Sequence, residues 1–248
     1  MEILTSNEKE YYARQILAYG IAFQEKLKQS HVLVIGAGGL GNALLPVLAA
    51  SGIGKVTLYD GDTIERSNLS RQMLYSENDL GLFKAEVCQQ KLKQINPHVT
   101  VECHNHHFQH MLNGNALPDL IVDGSDSLET KFKTAEYCFA KSIPCIIGSV
   151  SLEQQHIHYF NDPEKSCYRC IFQNHPKEGI PDCKSTGIQS SAVHLCGSFM
   201  ANLAINHFRG SNHAGAFFLN QGDNWLKKIY EAQETCPVHN KELLYTTL

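Results

Sequence analysis

A short apolar run ending in a cluster of glycines constrains this chain more than anything else in it. Residues 31–35 (HVLVI) run into Gly36-Ala37-Gly38-Gly39-Leu40-Gly41, and residues 40–51 then show helical spacing that stops at Gly52. An apolar run this short, closed by glycine, reads as a buried parallel strand. The glycines therefore form a strand-to-helix turn of the G-x-G-x-x-G kind. Gly36 permits the tight turn, Gly38 lets backbone approach a ligand, and Gly41 lets helix and strand pack closely, with Gly39 counted beside them in the nucleotide site. The helix start offers unpaired N–H groups and partial positive charge, which suit a phosphate. Asp60 follows the next strand, residues 55–59, and stands 19 residues beyond Gly41, where a carboxylate can take both ribose hydroxyls. A nucleotide site is expected, and the turn alone admits either NAD or ATP.

The residues that follow separate the two. Asp62, Asn68, Arg71 and Gln72 crowd one polar loop, and Lys84 opens the next helix. A dinucleotide's pyrophosphate on a helix N-terminus needs little cationic help, whereas a triphosphate losing pyrophosphate develops charge that Arg and Lys stabilise directly.

The rest of the chain supplies a sheet for this turn. Strands are expected at 99–102, 120–122 and 145–147, with helices at 83–95 and 128–141, after a helix, a break at Gly20 and a second helix in residues 1–30. Strand alternating with helix predicts an α/β fold: a Rossmann-like, mostly parallel sheet with helices on both faces over residues 31–148. Residues 149–248 read as an antiparallel α+β extension of the same sheet. It comprises an exposed strand at 151–160, a turn-rich stretch at 167–188, a helix at 189–208 and two short strands near 216–219 and 225–230. At about 150 residues per domain, 248 residues fit one such unit.

Composition narrows the partners. Lys plus Arg number 21 and Asp plus Glu 25, a net charge of −4, which argues against a general nucleic-acid binder. No apolar stretch approaches the roughly 18 residues of a bilayer span, and the N-terminus shows no signal peptide, so a cytoplasmic protein without a membrane partner is expected. Nine cysteines in a reducing compartment point to metal, nucleophilic chemistry or packing. Cys167-Tyr-Arg-Cys170 and Cys236-Pro-Val-His239 form two tight pairs, the usual layout of a closed tetrahedral zinc site, here Cys₃His. Cysteines 88, 103, 138, 145 and 196 are expected to pack in the core. His104, His106, His107 and His110 read as a solvated turn, and His156 and His158 as a polar sheet face.

Taken in order, Tyr12-Ala-Arg14-Gln-Ile-Leu, the GAGGLG turn, Asp60-Gly-Asp62, Ser67-Asn68-Leu-Ser-Arg71-Gln72, Lys84, Ile95-Asn96-Pro97 and Asp123-Gly-Ser-Asp126 resemble the ThiF/MoeB/HesA family of ubiquitin-activating-enzyme-like adenylyltransferases. The resemblance covers nearly the whole chain. It implies ATP-dependent adenylation of the C-terminal Gly-Gly carboxylate of a ubiquitin-like sulfur carrier protein of the ThiS or MoaD kind, by a homodimer, with a separate sulfur donor such as a cysteine desulfurase or rhodanese. Carried over by position, it implies Asp60 on the ribose, Asn68, Arg71 and Lys84 on the phosphates, and Asp126 on Mg²⁺. Arg14 would reach the ATP of the partner subunit, and Cys183 would match a loop cysteine that joins the sulfur-transfer or covalent step in some relatives and is dispensable for adenylation in others, an ordinary loop cysteine being the competing reading. Two departures stand out: Ser127 follows Asp126 where the family usually has Asn, and His239 replaces a cysteine of the family's second Cys-x-x-Cys. The competing readings are a nicotinamide dehydrogenase and a non-catalytic or peptide-modifying relative of the same fold.

Overall fold

The computed structural model describes residues 2–108, 117–151, 154–162, 164–172, 187–211, 215–221 and 224–240. Three N-terminal helices, α1 (Ser6–Tyr11), α2 (Ala13–Tyr19) and α3 (Ile21–Gln29), lead into β1 (His31–Ile35). The sequence predicts one break among these helices and the structure has two, because Tyr12 caps both α1 and α2 before Gly20 separates α2 from α3. There follow α4 (Gly39–Ser51), β2 (Lys55–Tyr59), α5 (Lys84–Ile95), β3 (Thr100–His104), β4 (Leu120–Asp123), α6 (Leu128–Lys141) and β5 (Cys145–Val150). The second half contributes β6 (Gln154–Phe160), a short α7 (Tyr168–Ile171), the long α8 (Ser190–Phe208), β7 (Ala216–Gln221) and β8 (Asn224–Ile229).

All eight strands form one sheet in the order β3-β2-β1-β4-β5-β6-β7-β8. Pairing is parallel through β5 and antiparallel from β6 to β8, as expected from the change of pattern near residue 149. The period of two along each strand splits its side chains between two cores. Val32 and Val34 of β1 pack with Leu44, Leu48 and Met200 under α4 and α8, whereas Leu33 and Ile35 pack with Phe132 and Ala135 of α6. The strand order reverses at β1, whose neighbours are β2 and β4, and a crevice at the carboxyl ends of these strands is where such sheets bind ligands.

Two motifs that suggested family kinship serve the scaffold. Asn96, fully buried, donates from Nδ2 to the Tyr12 hydroxyl at 2.7 Å and to the Ala49 carbonyl at 2.7 Å. It thereby ties the N-terminal helices to the end of α4.

One expectation is overturned. β6 is an interior strand, and His156 and His158 do not form a polar face. His156 lies against Phe172 and Phe217 with ring centroids 5.2 and 5.4 Å away, and His158 is fully buried 5.9 Å from the Tyr168 ring. The cover comes from α7 and β7, which lie too far along the chain for local alternation to reveal. Cysteines 88, 138, 145 and 196 are buried as expected, and Cys103 is half-buried.

Burial lowers the His156 pKa to about 3, with Lys131 adding to the effect, and lowers that of His158 to about 4. Unfolded histidines titrate near 6.5. Between about 6.5 and 4 the unfolded chain takes up protons that the folded chain refuses, so stability falls as pH falls. The urea midpoint is therefore expected to drop from about pH 7 to about pH 5, and to drop less in His158→Phe than in the wild type. An equal drop in the two proteins would show that this ring contributes nothing to the pH dependence.

Candidate active site

The glycine turn is held open by its neighbours. Gly36 has φ +94°, in the left-handed region that favours glycine, and a Cβ there would stand 3.1 Å from the Ser125 amide nitrogen and 3.2 Å from the Gly124 carbonyl. The turn after β1 and the loop after β4 are thus in backbone contact. Gly41 stands behind the turn, where a Cβ would lie 2.1 Å from the Gly36 carbonyl oxygen, so it permits the close packing expected of it without facing a ligand. Gly39 is equally constrained, its Cβ position lying 2.7 Å from Val193 of α8.

Side chains then fix the turn's orientation. Asp60, at the end of β2, accepts from the Ala37 amide at 2.7 Å and from the Asp62 amide at 2.9 Å. Burial raises its pKa, with the Ala37 hydrogen bond and the Lys84 charge opposing. The Ala37 carbonyl in turn accepts from the Tyr75 hydroxyl at 2.8 Å and from Asn42 Nδ2 at 2.9 Å. Asn42 Oδ1 also accepts from the Leu74 amide at 2.8 Å. The phosphate turn and the polar loop are therefore one hydrogen-bonded body.

These elements enclose a cavity of about 570 Å³. Gly36, Gly38, Gly39 and Asp60 line it, as do Asp62, Asn68, Arg71, Gln72, Lys84 and Asp126. Lys84, buried at the start of α5, pairs with Asp62 at 2.8 Å. Arg71 Nη1 donates to the Ser67 carbonyl at 3.0 Å, and Asn68 Oδ1 accepts from the Glu65 amide at 3.1 Å. Gln72, also in the lining, is buried, and its Oε1 meets no hydrogen-bond partner among the described residues. Two cations and a carboxylate around a helix N-terminus suit a nucleotide triphosphate with a divalent ion, which is commonly held by one or two carboxylates plus phosphate oxygens. Ser127, where the family usually has Asn, caps α6 by accepting from the Thr130 amide at 3.2 Å, so the departure leaves the Asp126 carboxylate in place.

One expected residue, Arg14, does not line this cavity and is exposed on α2. Cys183 and His110 lie outside the described residues. Conversely, the solvated-turn reading missed part of the wall: Tyr59, His107 and Phe108 line the cavity, and Tyr59 stacks on His104 at 4.4 Å. The available signal was Tyr59, the last strand residue before Asp60.

A second constellation lies in the C-terminal half. Cys167, Cys170, Cys236 and His239 bring three sulfurs and a ring nitrogen within 4.8 Å of one another, a donor set that could hold a metal ion. Around it, His239 Nε2 lies 3.1 Å from the Lys165 carbonyl, which fixes the ring, and Phe139 of α6 packs against it at 4.8 Å. Cys170 is held below the ordinary thiol range, chiefly by the hydrogen bond from Cys167 and then by the Gln233 amide. Three sulfurs and an imidazole make a known closed zinc type, so the residues fit that ion.

No helix among the described residues is long and apolar enough to cross a membrane.

The family model described as ThiF family matches residues 12–241. Among curated proteins, the chain is 34% identical over 258 aligned positions to "Adenylyltransferase and sulfurtransferase MOCS3" of Drosophila sechellia, an alignment covering 99% of this chain and 56% of that protein. It is also 34% identical over 219 positions to "Sulfur carrier protein adenylyltransferase" of Thermus thermophilus, covering 83% of this chain and 80% of that protein. The chain thus spans about half the length of the MOCS3 relatives it matches. Among solved structures, Escherichia coli MccB with MccA-N7isoAsn superposes with TM-score 0.80 at 23% identity, covering 95% of this chain and 75% of that one. PaaA superposes with TM-score 0.75 at 23% identity, covering 93% and 75%.

If the Cys₃His cluster holds a metal, removing one ligand opens it. Purified untagged protein is expected to carry about one zinc per chain, and Cys236→Ala to lose it together with thermal stability. Metal-free wild-type protein of unchanged melting temperature would contradict this.

Proposed function

This chain belongs to the ThiF family, and from that premise we propose that it adenylates the C-terminal Gly-Gly carboxylate of a ubiquitin-like sulfur carrier protein with ATP. The observation that carries the reading is that Asp60, Asn68, Arg71, Lys84 and Asp126, chosen from sequence, line one cavity at the mouth of the glycine turn. The curated relatives' names support the substrate class.

The chemistry asks little of a general base. A carboxylate is already a nucleophile at neutral pH, so the site's work is alignment and charge neutralisation. The carrier's carboxylate oxygen bonds to the α-phosphorus, the bond to the bridging oxygen breaks, and pyrophosphate leaves with that electron pair, giving an acyl-adenylate. Asp60 would receive the ribose hydroxyls. The N-terminus of α4 with Asn68, Arg71 and Lys84 would hold the phosphates, Lys84 exchanging Asp62 for phosphate oxygens. Asp126 would hold Mg²⁺, which when bound offsets charge on the leaving pyrophosphate. Arg71 and Lys84 beside the phosphate turn favour a triphosphate over a nicotinamide dinucleotide.

In this reading the chain is a single adenylation unit. Residues 31–148 bind nucleotide, and residues 149–248 carry a structural zinc and receive the carrier. A homodimer would bring Arg14 to the partner subunit's ATP. Exposed Arg14, and its neighbour Leu17 at 80% exposure, support that role, since both lie on the surface of α2 and neither lines the chain's own cavity. Sulfur would come from a separate donor, and the protein would act in the cytoplasm, in thiamine, molybdopterin or related sulfur metabolism. Cys183 would be a candidate for the sulfur-transfer step.

The test is ATP–pyrophosphate exchange with a panel of small proteins ending in Gly-Gly. Carrier-dependent exchange is expected. Arg71→Ala, Lys84→Ala and Asp126→Ala should each lower it by about a hundredfold or more, since each removes a charge-assisted contact to the reacting phosphates. NAD binding without exchange, or near-wild-type exchange in all three variants, would refute the reading.

A further inference from the structure

Beneath the loop that carries Asp126 lies a fully buried ammonium group. Lys131, on the first turns of α6, is 1% exposed. Its Nζ donates to the Ser125 carbonyl and, at 2.7 Å, to the Gly148 carbonyl, and stands 3.8 Å from Asp123 Oδ1. Asp123 is fully buried too, and its Oδ1 accepts from the Ser125 amide at 2.8 Å and from Ser125 Oγ at 2.6 Å. Three segments therefore meet at one side chain: the end of β4, the loop 124–126 and the end of β5.

A buried ion pair is often no more stabilising than well-packed apolar side chains of similar volume, so stability alone is a weak reason for this arrangement. An ammonium does supply donors that an apolar side chain lacks, directed at two carbonyls whose next residues, Asp126 and Ser149, line the cavity. On the opposite side the loop rests against the glycine turn, with the Gly36 Cβ position 3.1 Å from the Ser125 amide. The loop is thus gripped between that turn and Lys131. Lys131 is not among the residues lining the cavity, and Asp123 offsets its charge. Its hydrogen-bonded connection to the cavity runs through the loop.

We propose that Lys131 is a positioning residue for Asp126, holding that carboxylate where a nucleotide-bound divalent cation needs it. The inference rests on the reading of Asp126 given above. Outer-shell partners of metal ligands typically govern metal affinity by about 10–100-fold, and the loop grip gives Lys131 that kind of role.

The test measures binding rather than turnover. Mn²⁺ affinity is read by electron paramagnetic resonance on the full chain, with and without a non-hydrolysable ATP analogue. Lys131→Met should weaken Mn²⁺ binding in the analogue-bound protein by about tenfold or more, while affinity for the analogue without metal stays within about twofold. Because Lys131→Met leaves the Asp123 charge unpaired and can unfold the chain, the double variant Asp123→Asn/Lys131→Met, which has neither charge, is measured beside it. If Lys131 served only to neutralise Asp123, the double variant would bind Mn²⁺ as the wild type does. If it grips the loop, the double variant recovers thermal stability and keeps the Mn²⁺ defect. Wild-type Mn²⁺ affinity in either folded variant overturns the inference. Absence of analogue-dependent Mn²⁺ binding in the wild type itself overturns the Asp126 reading and this inference with it, whereas loss of carrier-dependent exchange alone strikes only the proposed reaction.

Discussion

The site depends on one close approach of backbone to backbone. Gly36, at φ +94°, lies against Gly124 and Ser125, with its Cβ position 3.1 Å from the Ser125 amide nitrogen. That contact joins the ends of β1 and β4 at the point where the strand order reverses, and any side chain at Gly36 would push them apart. Asp60 at the end of β2 adds the third edge through its bond to the Ala37 amide. Three loops from three parallel strands are thereby joined around one cavity, which suits a reaction limited by alignment and charge neutralisation.

The C-terminal half keeps this assembly from being a bare nucleotide fold. β6 to β8 extend the same sheet, and α8 packs on α4 directly behind the glycine turn, where Val193 meets Gly39. The Cys₃His cluster is tied to α6 twice, through Phe139 against His239 and through Arg169, whose Nε donates to Glu136 at 2.8 Å. α6 is also the helix whose N-cap adjoins Asp126 and which carries Lys131. The two constellations thus share one helix, α6.

Much of this was legible in the sequence, for physical reasons that differ by residue. The glycine turn, Asp60 and Lys84 announce themselves because a phosphate-binding turn demands glycine, and spacing along a strand and helix fixes the rest. The two tight pairs ending in His239 were legible as a donor cluster because short spacings bring ligand atoms together from single turns. What escaped depends on partners distant in sequence. β6 looked exposed because its cover, α7 and β7, cannot be read from its own alternation, and His156 and His158 passed for surface residues. Lys131 is a charged residue between Glu129 and Lys133, a residue type that ordinarily faces solvent, and the fold shows it buried. Tyr59 stacks across strands on His104 and meets Phe108 edge-on, contacts that no local motif encodes.

The most direct test of the account is the product itself. The protein is incubated with ATP, Mg²⁺ and a ubiquitin-like carrier ending in Gly-Gly, and intact-mass spectrometry is read on the carrier. The account predicts a carrier heavier by one adenylyl group, absent when the terminal glycine is removed and absent with Asp126→Ala. A carrier of unchanged mass, with ATP bound but not cleaved between its α and β phosphates, would contradict it.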